Sequence, residues 1–378
     1  KAYKSSISAP IIKIGISAIA IGIVVMMIAI ATGIGLQQKI RDKVVAFNGH
    51  VIISNFDSNN SQESIFPIST KQDFYPEFKT VEGIKHIQAV ATKFGVIRTE
   101  TDFEGVVLKG VGADYSWDYF KDFLLEGKLP DYTGKRNEEV LMSEYIANRL
   151  KFKLGDTFQM IFAKDDPEKL PNIITYTIVG IYNSGFQDFD ATYVIGDIRH
   201  LQRINNWGSD QVGSFEVFVD DYNQLQEKGI EIYHNTPSTF NTQTISEKYV
   251  SIFEWIKIFD KNIYAIIAIM ILVAGINMIT ALLVLILERT QMIGILKALG
   301  SNNWSIRKLF LYNASYLIVL GLFWGNLIGL GLLFAQKYFK LFPLDPSVYY
   351  VSEAPVYINF GYILALNICT LLLCLIML

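Results

Sequence analysis

The side chains that could do chemistry are scattered along the chain, without the spacings that catalysis or metal binding requires. The histidines form neither an H-E-x-x-H motif nor an i, i+4 pair, the arrangements that put two metal ligands on one helical face. We therefore interpret them as core or surface residues and predict no metal site: His50, His86, His200 and His234.

Neighbouring aspartates are the other candidates for acid–base chemistry. Two carboxylates cooperate only when they are buried and face each other, which a sequence does not show. We interpret the pairs as loop or cap residues: Asp165–Asp166, Asp188/Asp190 and Asp220–Asp221. The chain has neither a G-x-S-x-G motif nor a G-x-x-x-x-G-K-[ST] phosphate loop. We predict that it is not an enzyme, that it binds no cofactor, and that a partner supplies its energy.

A charged stretch, Glu288–Leu299, lies between two apolar runs and is followed by Gly300. Its apolar residues recur at the i, i+3, i+4, i+7 spacing of a helical stripe: Met292, Ile295, Leu296 and Leu299. Gly300 can supply the left-handed residue that ends a helix, and Ser301 or Asn302 can cap the next one. The pattern predicts helix, sharp turn, helix. On periodicity alone, the first helix either lies at a lipid surface or docks on a partner.

Apolar runs long enough to cross a membrane occur four times, at Ile14–Leu36, Ile263–Leu287, about Ala314–Ala335 and about Tyr357–Leu378. The first run lacks a cleavage site of small residues, so we expect it to remain as an anchor rather than to be removed as a signal peptide. Because the chain begins without Met and ends inside the fourth run, we expect the natural protein to continue beyond both ends.

The distribution of charged residues predicts how the chain is oriented in the membrane and which classes of partner it can bind. The connection between runs two and three carries four cations against Glu288, which places it in the cytoplasm and the long polar middle of the chain outside. Residues 41–256 hold 21 Lys and Arg against 32 Asp and Glu, whereas the rest of the chain holds 12 against 4. An acidic outer domain argues against nucleic acid as a partner.

The polar middle alternates β-rich runs with short helices, which predicts an α+β domain. The predicted strands are His50–Ser54, Ile87–Ile97, Phe103–Val111, Thr157–Ala163, Ile173–Tyr182, Tyr193–Ile195 and Ser214–Val219. The predicted helices are Ser116–Leu125, Ser143–Leu150, Asp197–Ile204 and Tyr222–Lys228.

Two features of the apolar runs predict helix packing. Gly321, Gly325 and Gly329 form a small-residue ridge that lets another helix approach closely. The second feature is an asparagine in each of the last three runs, which we expect to face other helices rather than lipid: Asn277, Asn326 and Asn367.

Methionines in the first run offer an adaptable surface that suits either acyl chains or an irregular gap between helices. Our candidates for a cavity that holds lipid or a lipoprotein are Met26, Met27, Ile30, Ile267 and Ile271.

The stretch E-R-T-x-x-I-G-I-L-K-A-L-G resembles the coupling-helix signature of FtsX-like ABC-transporter permeases, the superfamily of the lipoprotein-releasing LolC/LolE, MacB and FtsX proteins. The resemblance implies that this helix docks on a cytoplasmic ABC ATPase dimer, which binds the ATP and Mg. The residues carried over to this role are Glu288, Arg289, Met292, Ile293, Ile295, Leu296, Lys297, Leu299 and Gly300.

Blocks of the polar middle, such as IRDKVVAFNGHVII and EEVLMSEYIANRLKFKLGDTFQMIF, resemble the MacB-type periplasmic core domain. The implied fold is a membrane protein with four transmembrane α-helices and a large α+β extracytoplasmic domain inserted between helices 1 and 2. In the predicted division, residues 1–40 contain helix 1 and residues 41–256 form the α+β domain, with an inserted lobe at about 116–204. Residues 257–287 contain helix 2, and residues 288–312 form the coupling segment. Helix 3 covers 313–336, a short periplasmic loop covers 337–356, and helix 4 covers 357–378.

The resemblance implies a permease of the bacterial inner membrane that extracts lipoproteins and passes them to a periplasmic carrier, in complex with a second permease subunit. In LolC-like permeases a long hook follows the strand that corresponds to Thr157–Ala163, whereas here the segment is the short KDDPEKLPN, which puts carrier docking in doubt. The alternatives are a MacB-like or FtsX-like permease that transmits motion, for efflux or for control of wall hydrolases, and a membrane-anchored receptor.

Overall fold

The computed structural model describes residues 8–58, 61–164 and 168–377. They form two compact units. The helical unit consists of the chain up to Lys39, Glu254–Leu344 and the chain from Glu353 onward. The sheet unit consists of Ile40–Phe253 together with Asp345–Ser352.

Four long helices carry most of the apolar sequence. The helices are α1 (Ser8–Asn48), α2 (Glu144–Leu150), α3 (Gln187–Asp190), α4 (Ile198–Ile204), α5 (Leu225–His234), α6 (Ile245–Lys248), α7 (Val250–Glu288), α8 (Thr290–Ala298), α9 (Asn303–Phe339), α10 (Pro346–Tyr349) and α11 (Phe360–Met377). Within the described residues, three helical stretches are long and apolar enough to cross a membrane: Lys13–Asn48, Val250–Val284 and Asn303–Phe339. A shorter apolar helix covers Phe360–Ile376.

The long helices extend beyond the predicted apolar runs. α1 continues past Leu36, and α9 begins at Asn303, so the second helix of the predicted coupling segment is the start of the third apolar helix. α11 starts later than predicted, because the amide of Tyr357 donates a hydrogen bond to the carbonyl of Ala31 (3.0 Å) instead of entering a helix. An apolar run marks only the part of a helix that lipid could surround. The helix itself extends further, because its backbone hydrogen bonds continue into the polar residues on either side.

The sheet unit is built on one large mixed sheet. The strands of the unit are β1 (Val51–Asn55), β2 (Ile68–Ser69), β3 (Ile84–Arg98), β4 (Phe103–Val111), β5 (Leu124–Gly127), β6 (Glu139–Ser143), β7 (Thr157–Phe162), β8 (Asn172–Tyr182), β9 (Tyr193–Asp197), β10 (Gln211–Val212), β11 (Ser214–Val219) and β12 (Phe240–Thr244). β2 and β10 pair with each other as a separate small sheet, and the other strands form the large one. The order is β12-β1-β11-β3-β4-β9-β6-β8-β5, while β7 pairs with both β3 and β8. The strands β3, β4, β9, β6, β8 and β7 therefore pair in a closed ring, and strands from residues 116–204 share one sheet with β3 and β4.

The predicted helix Ser116–Leu125 is wrong. The segment forms two short 3-10 turns, Trp117–Tyr119 and Lys121–Phe123, and then strand β5. The reason is tertiary: the ring of Phe120 is buried against Phe47 (5.1 Å between ring centroids), and the chain must then extend to pair with β8. Strand β12 was not predicted, because its sequence FNTQT is polar and suits an edge position beside β1.

Phe47, near the end of α1, lies at the centre of the aromatic core of the sheet unit. Its ring centroid lies 4.8 Å from that of Phe189 and 5.8 Å from that of Tyr193, in addition to the contact with Phe120. Aromatic pairs of this geometry add to the stability gained by burying apolar area. The last turn of α1 is therefore part of this core.

A buried ion pair lies beside this cluster. The Nζ of Lys109 contacts the Oε1 of Glu216 at 2.6 Å and also donates to the carbonyl of Phe47. Gln88 donates to the other carboxylate oxygen at 2.8 Å. Burial lowers the pKa of Lys109, and Glu216 opposes that effect. The charges are tolerated because each is paired and hydrogen-bonded.

Removal of one partner should destabilise the sheet unit strongly. In Lys109→Met, Glu216 remains buried without a cation, and we expect the free energy of unfolding to fall by about 3–5 kcal/mol. The double variant Lys109→Met/Glu216→Gln should recover a large part of the loss, because no unpaired charge remains. Urea denaturation of the detergent-solubilised chain measures both. Equal stability of the wild type and Lys109→Met would contradict this account.

Candidate functional site

The predicted helix and turn of the coupling segment are confirmed as local structure. α8 ends at Ala298 with Leu299 as its C-cap, and Gly300 adopts the left-handed conformation (φ +91°). The amide of Gly300 donates to the carbonyl of Lys297 and that of Ser301 donates to Leu296, both at 3.0 Å. This pair of bonds is the Schellman motif, which satisfies the last carbonyls of a helix.

The next helix starts at once. The Oδ1 of Asn302 accepts a hydrogen bond from the amide of Ser305 at 2.8 Å, so Asn302 is the N-cap of α9. The Nζ of Lys297 also contacts the Oδ1 of Asn303. The turn between α8 and α9 is thus fixed by hydrogen bonds at both helix ends.

α8 presents an apolar face to its surroundings. Ile295 is 60% exposed and Leu299 is 78% exposed, and they lie one helical turn apart. We call these two residues the exposed face of α8. Of the other predicted coupling residues, Met292, Ile293 and Leu296 are half-buried, Arg289, Lys297 and Gly300 are exposed, and the side chain of Glu288 lies outside the described part of the chain. The exposed face of α8 is thus a pair of neighbouring apolar side chains at the C-terminal end of a short helix.

The glycine ridge of α9 lies against α1. A Cβ atom at Gly325 would lie 2.9 Å from both the carbonyl oxygen of Ala20 and the Cβ of Ile23. At Gly321 it would meet Ile19 at 2.8 Å, and at Gly329 it would meet the Sδ of Met27 at 3.1 Å. The two helix backbones therefore approach to a separation that only glycine permits.

The three intramembrane asparagines have different surroundings. Asn326 of α9 and Asn367 of α11 form a reciprocal amide pair, with donor–acceptor distances of 2.6 and 3.0 Å. Asn277 of α7 is half-buried, and its side chain has no hydrogen-bond partner among the described residues. Because an unpaired amide in hydrocarbon is costly, Asn277 is the asparagine that remains available to another chain.

The predicted lipid-cavity residues lie at different depths in the helical unit. Met26 and Met27 are buried among the helices, which is where the gap-filling alternative places them. Ile30, Ile267 and Ile271 are partly buried and pack against the same apolar core. Their role in holding acyl chains stays a prediction.

A larger side chain in place of a ridge glycine should separate α1 from α9. In Gly325→Leu the new side chain meets backbone, so we expect a large loss of stability or of assembled complex, of about 2 kcal/mol or more. Gly331→Leu is the matched control, because nothing lies within 4 Å of a Cβ atom at that position of the same helix. Size-exclusion profiles and melting temperatures in detergent compare the two variants. Equal effects would mean that the ridge does not set the packing.

The segment between α9 and α11 contributes to the sheet unit, which the sequence analysis missed. Tyr350 stacks on Phe186 with ring centroids 4.6 Å apart, its carbonyl accepts a hydrogen bond from Lys43 at 3.0 Å, and Val351 is buried. The predicted short loop 337–356 is therefore an anchored segment in its central part. The only sequence signal was a cluster of tyrosines and valines, Val348–Val351, in a polar connection.

The predicted absence of a metal site stays a prediction. Among the described residues, no group of three or more His, Cys, Asp or Glu is placed to hold a metal ion. His86 and His200 bind backbone carbonyls, of Asp114 and Asn137, and His234 is exposed. Asp190 accepts hydrogen bonds from the amide and the hydroxyl of Ser184. The other aspartates, Asp188, Asp220 and Asp221, are exposed, and Asp165–Asp166 lie outside the described residues.

His50 is a buried neutral base. Its Nδ1 accepts a hydrogen bond from the amide of Val219 at 3.2 Å. Burial, together with the positive charges of Arg41 and Lys85, lowers the pKa of His50 from 6.5 to about 4. Between these two pH values the unfolded chain binds a proton that the folded chain does not, so stability falls as the pH falls.

Acidification should therefore destabilise the sheet unit through His50. Between pH 7 and pH 5 we expect this histidine to cost about 2 kcal/mol of unfolding free energy. His50→Asn, whose Oδ1 can keep the bond to Val219, should remove that part of the pH dependence. The same substitution at the exposed His234 is the control. Melting temperatures recorded from pH 7 to pH 5 test this, and identical slopes for His50→Asn and the wild type would contradict it.

Comparison with known families covers both units of the chain. Residues 14–229 match the model of the MacB-like periplasmic core domain, and residues 264–378 match that of the FtsX-like permease C-terminal region. The two matches together include the exposed face of α8 and the glycine ridge.

Individual proteins are similar at low identity. The lipoprotein-releasing system transmembrane protein LolC of Buchnera aphidicola is 20% identical over 363 residues, which cover 95% of this chain and 86% of the relative. LolE of Haemophilus influenzae is 20% identical over 314 residues, 82% of this chain and 74% of the relative. The crystal structure of the periplasmic region of MacB from Actinobacillus actinomycetemcomitans covers 55% of this chain and 95% of its own, at 15% identity and a TM-score of 0.35.

Proposed function

Because the chain belongs to the FtsX-like ABC-transporter permeases that carry a MacB-like periplasmic core domain, we propose that it extracts lipoproteins from the bacterial inner membrane. In this proposal it is a four-span, non-catalytic subunit with the sheet unit in the periplasm. A separate cytoplasmic ATPase dimer supplies the energy, and the cargo passes to a periplasmic carrier. The similarity to LolC and LolE relatives over most of the chain supports this reading.

The observation that carries the proposal is the exposed face of α8. Ile295 and Leu299 are large, apolar and exposed on a short helix whose C-terminal end is capped, and they lie between two helices that are long enough to cross a membrane. A receptor has no need for such a face. A coupling helix does, because an apolar side chain that fills a groove of the ATPase transmits displacement without relying on flexible charged groups.

The proposed cycle uses the continuity of α7. ATP binding would draw together the coupling helices of two permease subunits, and α7, an uninterrupted helix from Val250 to Glu288, would carry that displacement toward the sheet unit. The second subunit would pack across α1 and α7, with Asn277 as a polar contact between subunits. Ile30, Ile267 and Ile271 would line the apolar cavity for the acyl chains.

A second candidate is a MacB-like or FtsX-like permease that transmits motion, for efflux or for control of wall hydrolases. The short connection between β7 and β8 favours it, because only the residues between Phe162 and Asn172 separate the two strands. A connection of this length leaves little chain for a projecting hook that engages a carrier.

Leu299→Glu tests the ATPase contact. A carboxylate that must be buried in an apolar groove costs several kcal/mol, so we expect at least a tenfold loss of co-purifying ATPase with little loss of fold, because Leu299 is exposed in the single chain. Gln291→Glu, which adds the same charge at another exposed position of α8, is the control. Pull-down from detergent extracts measures the ATPase that remains bound.

Photo-crosslinking from Ile267 and Ile271 in cells then separates the two candidate functions. Adducts to lipidated proteins support lipoprotein extraction. Adducts to neighbouring helices alone, with the ATPase contact intact, would favour the permease that transmits motion. Retention of the ATPase by Leu299→Glu at the wild-type level would contradict the assignment of α8 itself.

A further inference from the structure

A groove of about 730 Å³ lies in the helical unit, between the end of α7, α8 and the start of α9. One part of its lining is apolar, with Leu282, Ile286 and Phe310. The other part holds Lys297, Trp304 and Arg307. None of the described side chains that line it is acidic. The lining is therefore complementary to an amphiphile that has an apolar body and an anionic head.

The groove and the exposed face of α8 lie on different sides of that helix. Ile293 and Lys297 line the groove, and they are one turn apart. Ile295 and Leu299 are each displaced by two residues from them, which is about 200° around an α-helix. An ATPase bound to the exposed face would therefore leave the groove side of α8 to another ligand.

No carboxylate among the described residues pairs with the cations of the groove. The guanidinium of Arg307 is exposed and has no ion pair or hydrogen bond to the described residues. The ammonium of Lys297 contacts the neutral side-chain oxygen of Asn303. Trp304 is 57% exposed, at the start of a helix long enough to cross a membrane. Tryptophan and basic residues at such a position are typical of the lipid headgroup level.

We propose that this groove binds a phospholipid with an anionic headgroup from the cytoplasmic leaflet. The phosphate accepts hydrogen bonds from Arg307 and Lys297, since the planar guanidinium matches phosphate oxygens. One acyl chain lies along Leu282, Ile286 and Phe310. The bound lipid fills the space behind α8 and supports the orientation of the exposed face. The proposal rests on the membrane location and orientation of the proposed function, but not on lipoproteins as cargo.

Two adjacent cations provide a matched test. Arg307 lines the groove, whereas Lys308 does not and lies over the ring of Trp304 (5.7 Å). The purified complex in mild detergent is titrated with dioleoyl phosphatidylglycerol or dioleoyl phosphatidylcholine, and bound lipid is counted by native mass spectrometry. We expect preference for phosphatidylglycerol, an affinity loss of about fivefold in Arg307→Gln, and a loss below roughly twofold in Lys308→Gln.

Equal losses in both variants would indicate general attraction to the charged surface and would overturn the proposal, as would equal binding of the two lipids. Loss of ATPase from Arg307→Gln with unchanged lipid binding would assign the groove to the ATPase instead. A second measurement does not depend on a charge variant. Phosphatidylglycerol brominated on its acyl chains should quench the fluorescence of the wild type more than that of Trp304→Phe, and equal quenching would also overturn the proposal.

Discussion

The close approach of α1 and α9 is the constraint on which the helical unit depends. In lipid, apolar side chains gain little by leaving one apolar environment for another, so helices associate through close packing and hydrogen bonds. Gly321 and Gly325 bring the backbone of α9 against Ile19, Ala20 and Ile23 of α1. Gly35 of α1 similarly admits the carbonyl of Pro355, from the segment before α11, where a Cβ atom would lie 2.9 Å away. α1 is thus the element against which α9 and the segment before α11 are placed, while α11 itself is paired with α9 through Asn367 and Asn326.

The polar groups of the buried regions follow one rule in both units. Where the chain must bury an amide or a charge, it supplies the partner itself, as in the pairs Asn326–Asn367 and Lys109–Glu216. Some side chains depart from this rule among the described residues: Asn277 is half-buried without a partner. Four buried atoms also lack one, the Oγ of Ser58, the hydroxyl of Tyr176, the Nδ2 of Asn205 and the Oγ1 of Thr370. A permease has to meet a second subunit, lipid and an ATPase. Asn277 lies in the helical unit, which is the part of the chain that meets them.

Much of this architecture follows from local sequence. The apolar runs located the long helices. Gly300 and Asn302 located the turn between α8 and α9, because Gly300 adopts the left-handed conformation and the side chain of Asn302 accepts a hydrogen bond from a nearby backbone amide. The errors have a different origin. The segment 116–125 carries helical propensity but is held in turns by the burial of Phe120, a contact with residues far away in sequence. The anchoring of Tyr350 on Phe186 is equally non-local. Periodicity also does not distinguish a methionine that faces a cavity from Met26, which is buried between helices.

The capped turn at Gly300 and Asn302 limits how the length of this region can vary among related chains. A rigid turn fixes the rotational phase of α9 as it leaves α8, and each residue along α9 adds about 100°. One residue inserted between Asn302 and Gly321 would therefore turn the glycine ridge away from α1 while the exposed face of α8 kept its direction. Insertions of a whole number of turns, such as seven residues, would restore the phase but would shift the ridge along α1 by about 10 Å. Relatives should consequently keep the spacing between the turn and the ridge even where the residues differ.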